Sequence, residues 1–562
     1  ADIIIKKGNH LDLIEVKSKS FKGDDVEKMT GTRGSINAGW KPYLYDVAFQ
    51  KHVIQKAYPQ FTVTALLMLA DKESHATVDG LNQKFFIRKD QNGRVSIEVI
   101  GDITPASLGE QILRKVNIDT IATGIINGSY GEIEEGMTFA GAVDFYADHY
   151  DRDEPVDKPV GEQCAKCEFD CGFEEEAEGF HSGFRECWRR QLNWTDDQFR
   201  EPHIFEIWNF KRKQHLINEY VYHISDVQRE HIGDFKPSKD GRLSTNERQW
   251  LQVEMTRHHV NNPYLDVDGL RDEMSKWKYP LHFIDFETSR VAIPFHRGRR
   301  PYEGIAFQFS HHTVDRVGTV KHAGEYINVL LGEFPNYKFV RALKEELERD
   351  DGTIFRYADH ENSFLVEIWK QLSEETDVSV PDRKELMDFI QSITHSSEDY
   401  AVQWRGEREM VDMLKLVKNY FYHIDMKGSN SIKVVLPAVL KASTFLRNKY
   451  SMPVYGVQGG IESHNFANQT WYTTDDRDNV INPYKLLEPV FNDMARAELD
   501  ETMVDDTIAS GGAAMTAYAR MQFTRLNNIE RELARKALLR YCELDTLAMV
   551  MIYEYWEDQV GF

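Results

Sequence analysis

Apolar residues along this chain fall into two rhythms. Short runs bounded by Gly, Asn, Pro or charged residues, at 11–16, 62–69, 84–87, 95–100, 281–286 and 353–356, predict strands, and Ile3-Ile4-Ile5 opens the chain as another. Repeats near 3.6 residues predict a helix over 43–57 and a second around Leu538, Leu539, Leu544, Leu547 and Ala548. Residues 410–416 suit either element, and Leu251, Val253 and Met255 are ambiguously spaced within a charged, helix-like stretch over 200–275. Residues 346–351 and 373–382 read as charged or turn-rich surface. Strands mixed with helices predict an α/β chain of several domains.

Length sharpens this reading. At 562 residues the chain exceeds what one core organises, so four segments are expected. They are an α/β unit over 1–150, a cysteine-rich region over 151–200, a helical connector over 201–276, and a second α/β unit over 277–562. The acidic, proline-bearing stretch 151–159 is the first junction. No apolar run approaches the ~20 residues that span a bilayer, so no membrane association is expected. The chain begins at Ala1, almost directly before an apolar strand, so further N-terminal sequence is expected to precede it. With no secretory pattern, a reducing cytoplasm is the expected compartment.

A net charge of −23 argues against indiscriminate coating of nucleic acid, which relies on basic surface to release counterions. It leaves room for a nuclease, because carboxylates that await metal ions inflate the count and basic patches remain at 211–213 and 296–300. Four of the five cysteines, Cys164, Cys167, Cys171 and Cys187, lie close together, which points to a metal or cluster site rather than scattered disulfides.

Two acidic patterns carry chemistry. Asp285 and Glu287 are two residues apart on a predicted strand, so both side chains leave the same face. Tyr541 and Asp545 are four apart on a predicted helix and also share a face. Acids converging from different elements are what two-metal phosphodiester cleavage requires. Near the N-terminus, residues 2–5 and 11–16 predict a hairpin turned through Gly8-Asn9, which carries Asp2 towards Glu15. Lys17 shares a strand face with Glu15. Two carboxylates can hold Mg²⁺ in an oxygen shell, and an adjacent lysine can stabilise the pentavalent phosphate.

The strand-borne D-x-E with the helix-borne Y-x3-D resembles the DnaQ-like, DEDD-type 3′–5′ exonucleases of the tyrosine subclass. Asp285-Phe-Glu-Thr288, Ile293-Pro294, Arg300-Pro-Tyr302, Phe307-Gln-Phe-Ser310, Lys427-Gly-Ser429, Ser431-Ile-Lys433 and Tyr541-Cys-Glu-Leu-Asp-Thr546 together resemble a bacterial domain-of-unknown-function family that usually follows a RecB-like nuclease domain. This resemblance covers residues 277–556 and implies an RNase H-like α/β fold. It implies two Mg²⁺ or Mn²⁺ on Asp285, Glu287, Glu361 and Asp545, with Tyr541 orienting the attacking water. Glu361 aligns with the middle acid, Asp359 is an alternative ligand, and His360 replaces the motif's Phe as a packing residue. Asp412 is a supporting acid or a helix cap, and Lys433 a phosphate contact. Phe283, Phe286, Phe307 and Phe309 are assigned to the core.

The Asp2, Glu15 and Lys17 set resembles the PD-(D/E)xK nucleases of the RecB-like, CRISPR-associated exonuclease branch, with a restriction-endonuclease-like α/β core. That resemblance implies a site residue at Gln50 on the following helix, with Tyr58 as a further candidate. It also implies a [4Fe–4S] cluster on Cys164, Cys167, Cys171 and Cys187, or on Cys164, Cys167 and Cys187 with an upstream cysteine and Cys171 spare, with Zn²⁺ as the alternative to iron–sulfur. The function expected is a metal-dependent nuclease acting on nucleic acid, chiefly DNA with free ends, in processing, repair or antiviral defence, with protein partners possible there. A non-catalytic nucleic-acid-binding or assembly subunit is the alternative.

Overall fold

The computed structural model describes all residues except 24, 32–33, 90–93, 134–135, 157, 237–241, 376–379, 399, 489–510, 524–525 and 562. At the N-terminus β1 (Ile3–Lys7) and β2 (His10–Phe21) form an antiparallel hairpin in which Ile3 faces Ile14 and Lys7 faces His10. Its turn requires a left-handed residue, and Gly8 supplies it with φ 61°. The Lys41–Ala57 helix crosses over to β3 (Thr62–Asp71), which pairs with β2 in parallel. Alternate residues of β3, among them Val63, Ala65, Leu67 and Leu69, are buried in one cluster with Leu44, Val47 and Ala48 of that helix. β4 (Phe85–Lys89) and β5 (Val95–Val99) form a separate hairpin, and β6 (Leu113–Asn117) completes the sheet in the order β1-β2-β3-β6.

The charged stretch between the two sheets is helical and has its own apolar cluster, including Ile204, Leu216, Ile224 and Val253. Ser244 and Glu247 cap the Thr245–Arg257 helix reciprocally. From that helix the buried Arg248 donates to the carbonyls of Lys418 (2.9 Å) and Phe421 (2.8 Å). The connector is thereby fastened to the C-terminal unit. The short strand β7 (Tyr264–Leu265) follows.

The C-terminal sheet is mixed. β8 (Leu281–Arg290), β9 (Gly304–Val314) and β10 (Val320–Ile327) form an antiparallel meander. β11 (Ile354–Arg356) and β12 (Val411–Asp412) add in parallel on the other side of β8, giving the order β10-β9-β8-β11-β12. β13 (Phe421–Tyr422) pairs with β7. Strand β8 lies at the centre, buried on both faces. Ile284 and Phe286 pack with Phe339 and Leu365 on one side. Phe283 packs on the other with residues of the 33-residue Asn528–Val560 helix. Asp285 and Glu287 share the parity of Phe283, so they project towards that helix.

The Asn528–Val560 helix starts at an Asn527–Glu530 capping box and is buried on almost every side from Leu538 to Trp556. No helix among the described residues is long and apolar enough to cross a membrane. The four aromatics Phe283, Phe286, Phe307 and Phe309 are core residues, with Phe283 stacked on Phe355 at 4.9 Å and Phe307 on Tyr518 at 4.0 Å.

The two stretches expected at the surface are largely exposed or half-exposed, Glu348, Arg349, Asp351, Ser373 and Glu374 among them. In 346–351, Glu346 belongs to the Asn336–Leu347 helix and lies 3.3 Å from buried His311, while Asp350 meets buried His282 at 2.8 Å. In 373–382, Glu375 accepts from Arg299 and Tyr337, each at 2.9 Å. These half-exposed acids also satisfy partners that come from distant strands and loops. Positions 376–379 lie outside the described residues.

Candidate active site

Four acids meet where β8 faces the long helix. Asp285 and Glu287 come from β8, Glu361 from the first turn of the His360–Glu374 helix, and Asp545 from the Asn528–Val560 helix. Ligand atoms of Asp285, Glu287 and Cys542 lie within 4.8 Å of one another. Asp545 and Glu361 stand farther out, close enough that their charges raise the pKa of both Asp285 and Glu287.

Burial dominates the electrostatics. It pushes Asp285 and Glu287 well above the ordinary carboxylate range, and the neighbouring carboxylates add to the shift. Glu361 is pushed up to about 8 by burial, against its own backbone hydrogen bond and the charge of Arg356. Asp545 is pushed up to about 6 by burial, opposed by the Tyr484 hydrogen bond, the charge of Lys433 and the Tyr541 hydrogen bond. Glu361 Oε2 is buried without a hydrogen-bond partner. Arg356 is engaged elsewhere, by Asp359 at 2.9 Å, Asp412 at 3.7 Å and the carbonyl of Ala358. The carboxylates thus outnumber the cations that face them, which is the donor set divalent ions require.

Several neighbours shape the cage. Tyr484 donates its hydroxyl to Asp545 Oδ1. Burial, then the charge of Asp545, raises the pKa of Tyr541 far above the usual tyrosine range, so its hydroxyl keeps its proton. Lys433 Nζ sits 4.9 Å from the ring centroid of Tyr541 and 5.1 Å from that of Tyr484. The Cys542 thiol lies 3.6 Å from Asp285 Oδ2, and burial followed by the surrounding negative charge keeps it protonated. Asp412 caps the Met413–Tyr420 helix through the Lys415 N–H at 3.3 Å and takes the Ala358 N–H at 3.1 Å, so its role is to support the turn before Glu361. Asp359 is exposed and held by Arg356 and Ser363. His360 meets Thr288 at 3.0 Å and packs on Phe364.

The N-terminal candidates also assemble. Lys17 Nζ bridges Glu15 (2.9 Å) and Asp46 (2.6 Å), and Gln50 Nε2 donates to Glu15 (3.0 Å) and Asp46 (2.9 Å). Asp2 accepts the Val16 N–H at 2.7 Å, which brings it beside Glu15 across the hairpin. The hydrogen bond to Asp46, and then that to Glu15, holds Lys17 above its usual range. Tyr58 is exposed, its ring tilted at 60° to that of Phe61 with centroids 6.4 Å apart.

The cysteines share one loop–helix unit. Cys164 lies in the 3₁₀ turn Glu162–Lys166, Cys167 and Cys171 on the loop that follows it, and Cys187 on the Gly183–Leu192 helix. Gln191 ties the loop's start to the helix through the Val160 N–H at 2.9 Å, and Gly183 and Arg185 tie its end through the carbonyls of Phe169 (2.7 Å) and Cys171 (2.6 Å). All four are free thiols.

Asp46, Tyr484 and Cys542 are additional site residues. Asp46 sits one helical turn before Gln50, a spacing that could have disclosed it, and Cys542 lies inside the Y-x3-D motif. Tyr484 lies in a short 3₁₀ turn, Pro483–Leu486, with no local sign of its task.

One protein-family model, described as a domain of unknown function (DUF2779), matches residues 282–431. That span holds Asp285, Glu287, Glu361 and Asp412, within the region whose motifs resemble such a family. No curated protein matches the chain. No solved structure matches it either.

Proposed function

We propose that this chain is a metal-dependent nuclease whose principal site is the four-carboxylate cluster. The observation that carries the proposal is the convergence of half-buried Asp285 with buried Glu287, Glu361 and Asp545, each with its pKa raised by burial. A D-x-E strand at the centre of a mixed sheet, facing a C-terminal helix with Tyr541 and Asp545, supports the DnaQ-like, RNase H-like reading. The four acids would hold two Mg²⁺ or Mn²⁺, which when bound lower the pKa of water and offset charge on the phosphate.

The chain's own groups prepare that chemistry. The Tyr484 hydroxyl fixes Asp545, and the Tyr541 hydroxyl, one turn before Asp545 and hydrogen-bonded to it, keeps its oxygen to accept from a water and orient it. Lys433 puts positive charge beside the acids, where a phosphodiester would otherwise be repelled. The substrate is nucleic acid, chiefly DNA with free ends, shortened from its 3′ end in the cytoplasm during processing, repair or defence. That biological setting rests on family analogy.

Asp2, Glu15, Lys17 and Gln50, with Asp46, form a second hydrolytic site of the RecB-like kind. Its support is that Glu15, Lys17, Asp46 and Gln50 form one hydrogen-bonded set. The cysteine unit would hold a structural [4Fe–4S] cluster. Zn²⁺ on the same thiols is the alternative.

Digestion of end-labelled single-stranded DNA with Mg²⁺ or Mn²⁺ tests the proposal. Wild type and Glu15→Ala should release label, and Asp285→Ala should not. Digestion lost only in Glu15→Ala would move the activity to the first unit. No metal-dependent release by any of the three would overturn the reading in favour of a binding subunit.

A further inference from the structure

A second constellation of metal-binding residue types lies on the opposite face of the same long helix. His322 and Glu325 are on β10, and His464 is on the loop that runs beside it. Their ligand atoms lie within 4.8 Å of one another. On a regular strand, residues three apart point to opposite faces. Here the pairing of β10 with β9 slips between His322 and Gly324, and this β-bulge turns His322 and Glu325 to the same side. The loop is positioned by backbone pairing. The His322 N–H donates to the carbonyl of Glu462 at 3.0 Å, and Lys321 and Glu462 form a parallel bridge.

The ring of His322 is set up as a ligand. It is 1% exposed, its Nε2 is held by Ser310 Oγ at 3.1 Å, and its buried Nδ1 faces the Glu543 carboxylate at 3.3 Å without hydrogen-bond geometry. A ring whose second nitrogen is fixed by a hydrogen bond is the usual state of a metal-bound histidine. Two carboxylates crowd the same place. Asn465 Nδ2 donates to both Glu325 Oε2 (2.6 Å) and Glu543 Oε2 (2.8 Å), and Glu543 Oε2 lies 3.3 Å from His322 Nδ1. Glu543 is buried between Tyr541 and Asp545 in sequence, yet it points away from them to the β10 side, where Tyr455 and Ser463 each donate to it at 2.5 Å.

We infer that His322, Glu325 and His464 bind one divalent ion of the zinc class, separate from the four-carboxylate site. Two imidazoles and one carboxylate suit Zn²⁺ or Co²⁺ better than Mg²⁺, which prefers an all-oxygen shell. His464 is exposed, which leaves room for a water as fourth ligand. The ion ties β10 to the 462–465 loop, and through Asn465 and Glu543 it braces the helix that carries Tyr541 and Asp545. The inference stands whether or not the four-carboxylate site is catalytic.

The test is zinc content and thermal midpoint of the full chain, freed of loose metal by gel filtration. Wild type and Asp285→Asn should carry one zinc per chain more than His464→Ala and Glu325→Gln, and added zinc should raise the midpoint of the first pair only. His464 is exposed and Glu325→Gln keeps the side chain's shape, so both variants should fold. Bound Co²⁺ should give a visible band in wild type that His464→Ala loses, without thiolate charge-transfer, which separates this site from the cysteines. Equal zinc in all four folded proteins, or no such cobalt band in wild type, would overturn the inference.

Discussion

The hydroxyl of Tyr484 donates to Asp545 across 61 residues of sequence, joining a short 3₁₀ turn to the centre of a buried helix. Removing the oxygen leaves the ring in place but frees a buried carboxylate. Tyr484→Phe should lower metal-dependent turnover about 10-fold, from loss of roughly 1.4 kcal/mol of positioning. Tyr541→Phe should lower it further. The split between kcat and KM checks this: a positioning role predicts that the loss falls mainly on kcat.

The acids that would serve catalysis burden the metal-free fold. Asp285 is surrounded by Glu287, Glu361 and Asp545, whose charges oppose its ionisation. Asp285→Asn should abolish the activity while raising the thermal midpoint in chelator, because a half-buried carboxyl is removed from a mutually repelling set. Differential scanning calorimetry with and without Mn²⁺ checks the exchange.

A pH dependence follows from the same residues. Glu361 has a pKa of about 8 against an ordinary 4.5, and Asp545 about 6 against 3.8. Between the unfolded and folded values the native state holds protons that the unfolded chain has released. Stability from these groups is therefore present at low pH and is lost as pH rises through 6 and then 8. In chelator, the midpoint of wild type should fall from pH 5 to pH 8 more steeply than that of Glu361→Gln. Parallel slopes would show that Glu361 does not titrate in this window.

The cysteine unit makes an optical prediction. Anaerobically purified protein should absorb near about 400 nm if it holds an iron–sulfur cluster. Cys167→Ser and Cys187→Ser should each lose that band and lower the thermal midpoint, since the cluster joins loop to helix. A colourless protein containing zinc lost in the same variants would assign the thiols to zinc.

The parts of the site that were legible in the sequence obey a local period. Asp285 and Glu287 share a strand face, Tyr541 and Asp545 a helix face, and the Gly8-Asn9 turn predicts the hairpin that brings Asp2 to Glu15. The mixed α/β character followed from the same periods. Long-range geometry was not legible. Tyr484 and Lys433 reach the acids from separate turns and helices, and Arg356 is diverted from Glu361 by Asp359 and Asp412. The pairing of His322 with Glu325 depends on a β-bulge that no residue type in the strand announces. That Glu346 and Asp350 partner buried histidines is not legible either, because His311 and His282 lie far away in sequence.

The central claim, that four acids from three elements form one two-metal site, is tested most directly by Mn²⁺ anomalous diffraction from a crystal of the full chain. Two peaks about 3.5–4 Å apart, enclosed by Asp285, Glu287, Glu361 and Asp545, are predicted. They should vanish in Asp285→Asn while any ion at His322 stays. An absence of manganese among these carboxylates at saturating metal would contradict the account.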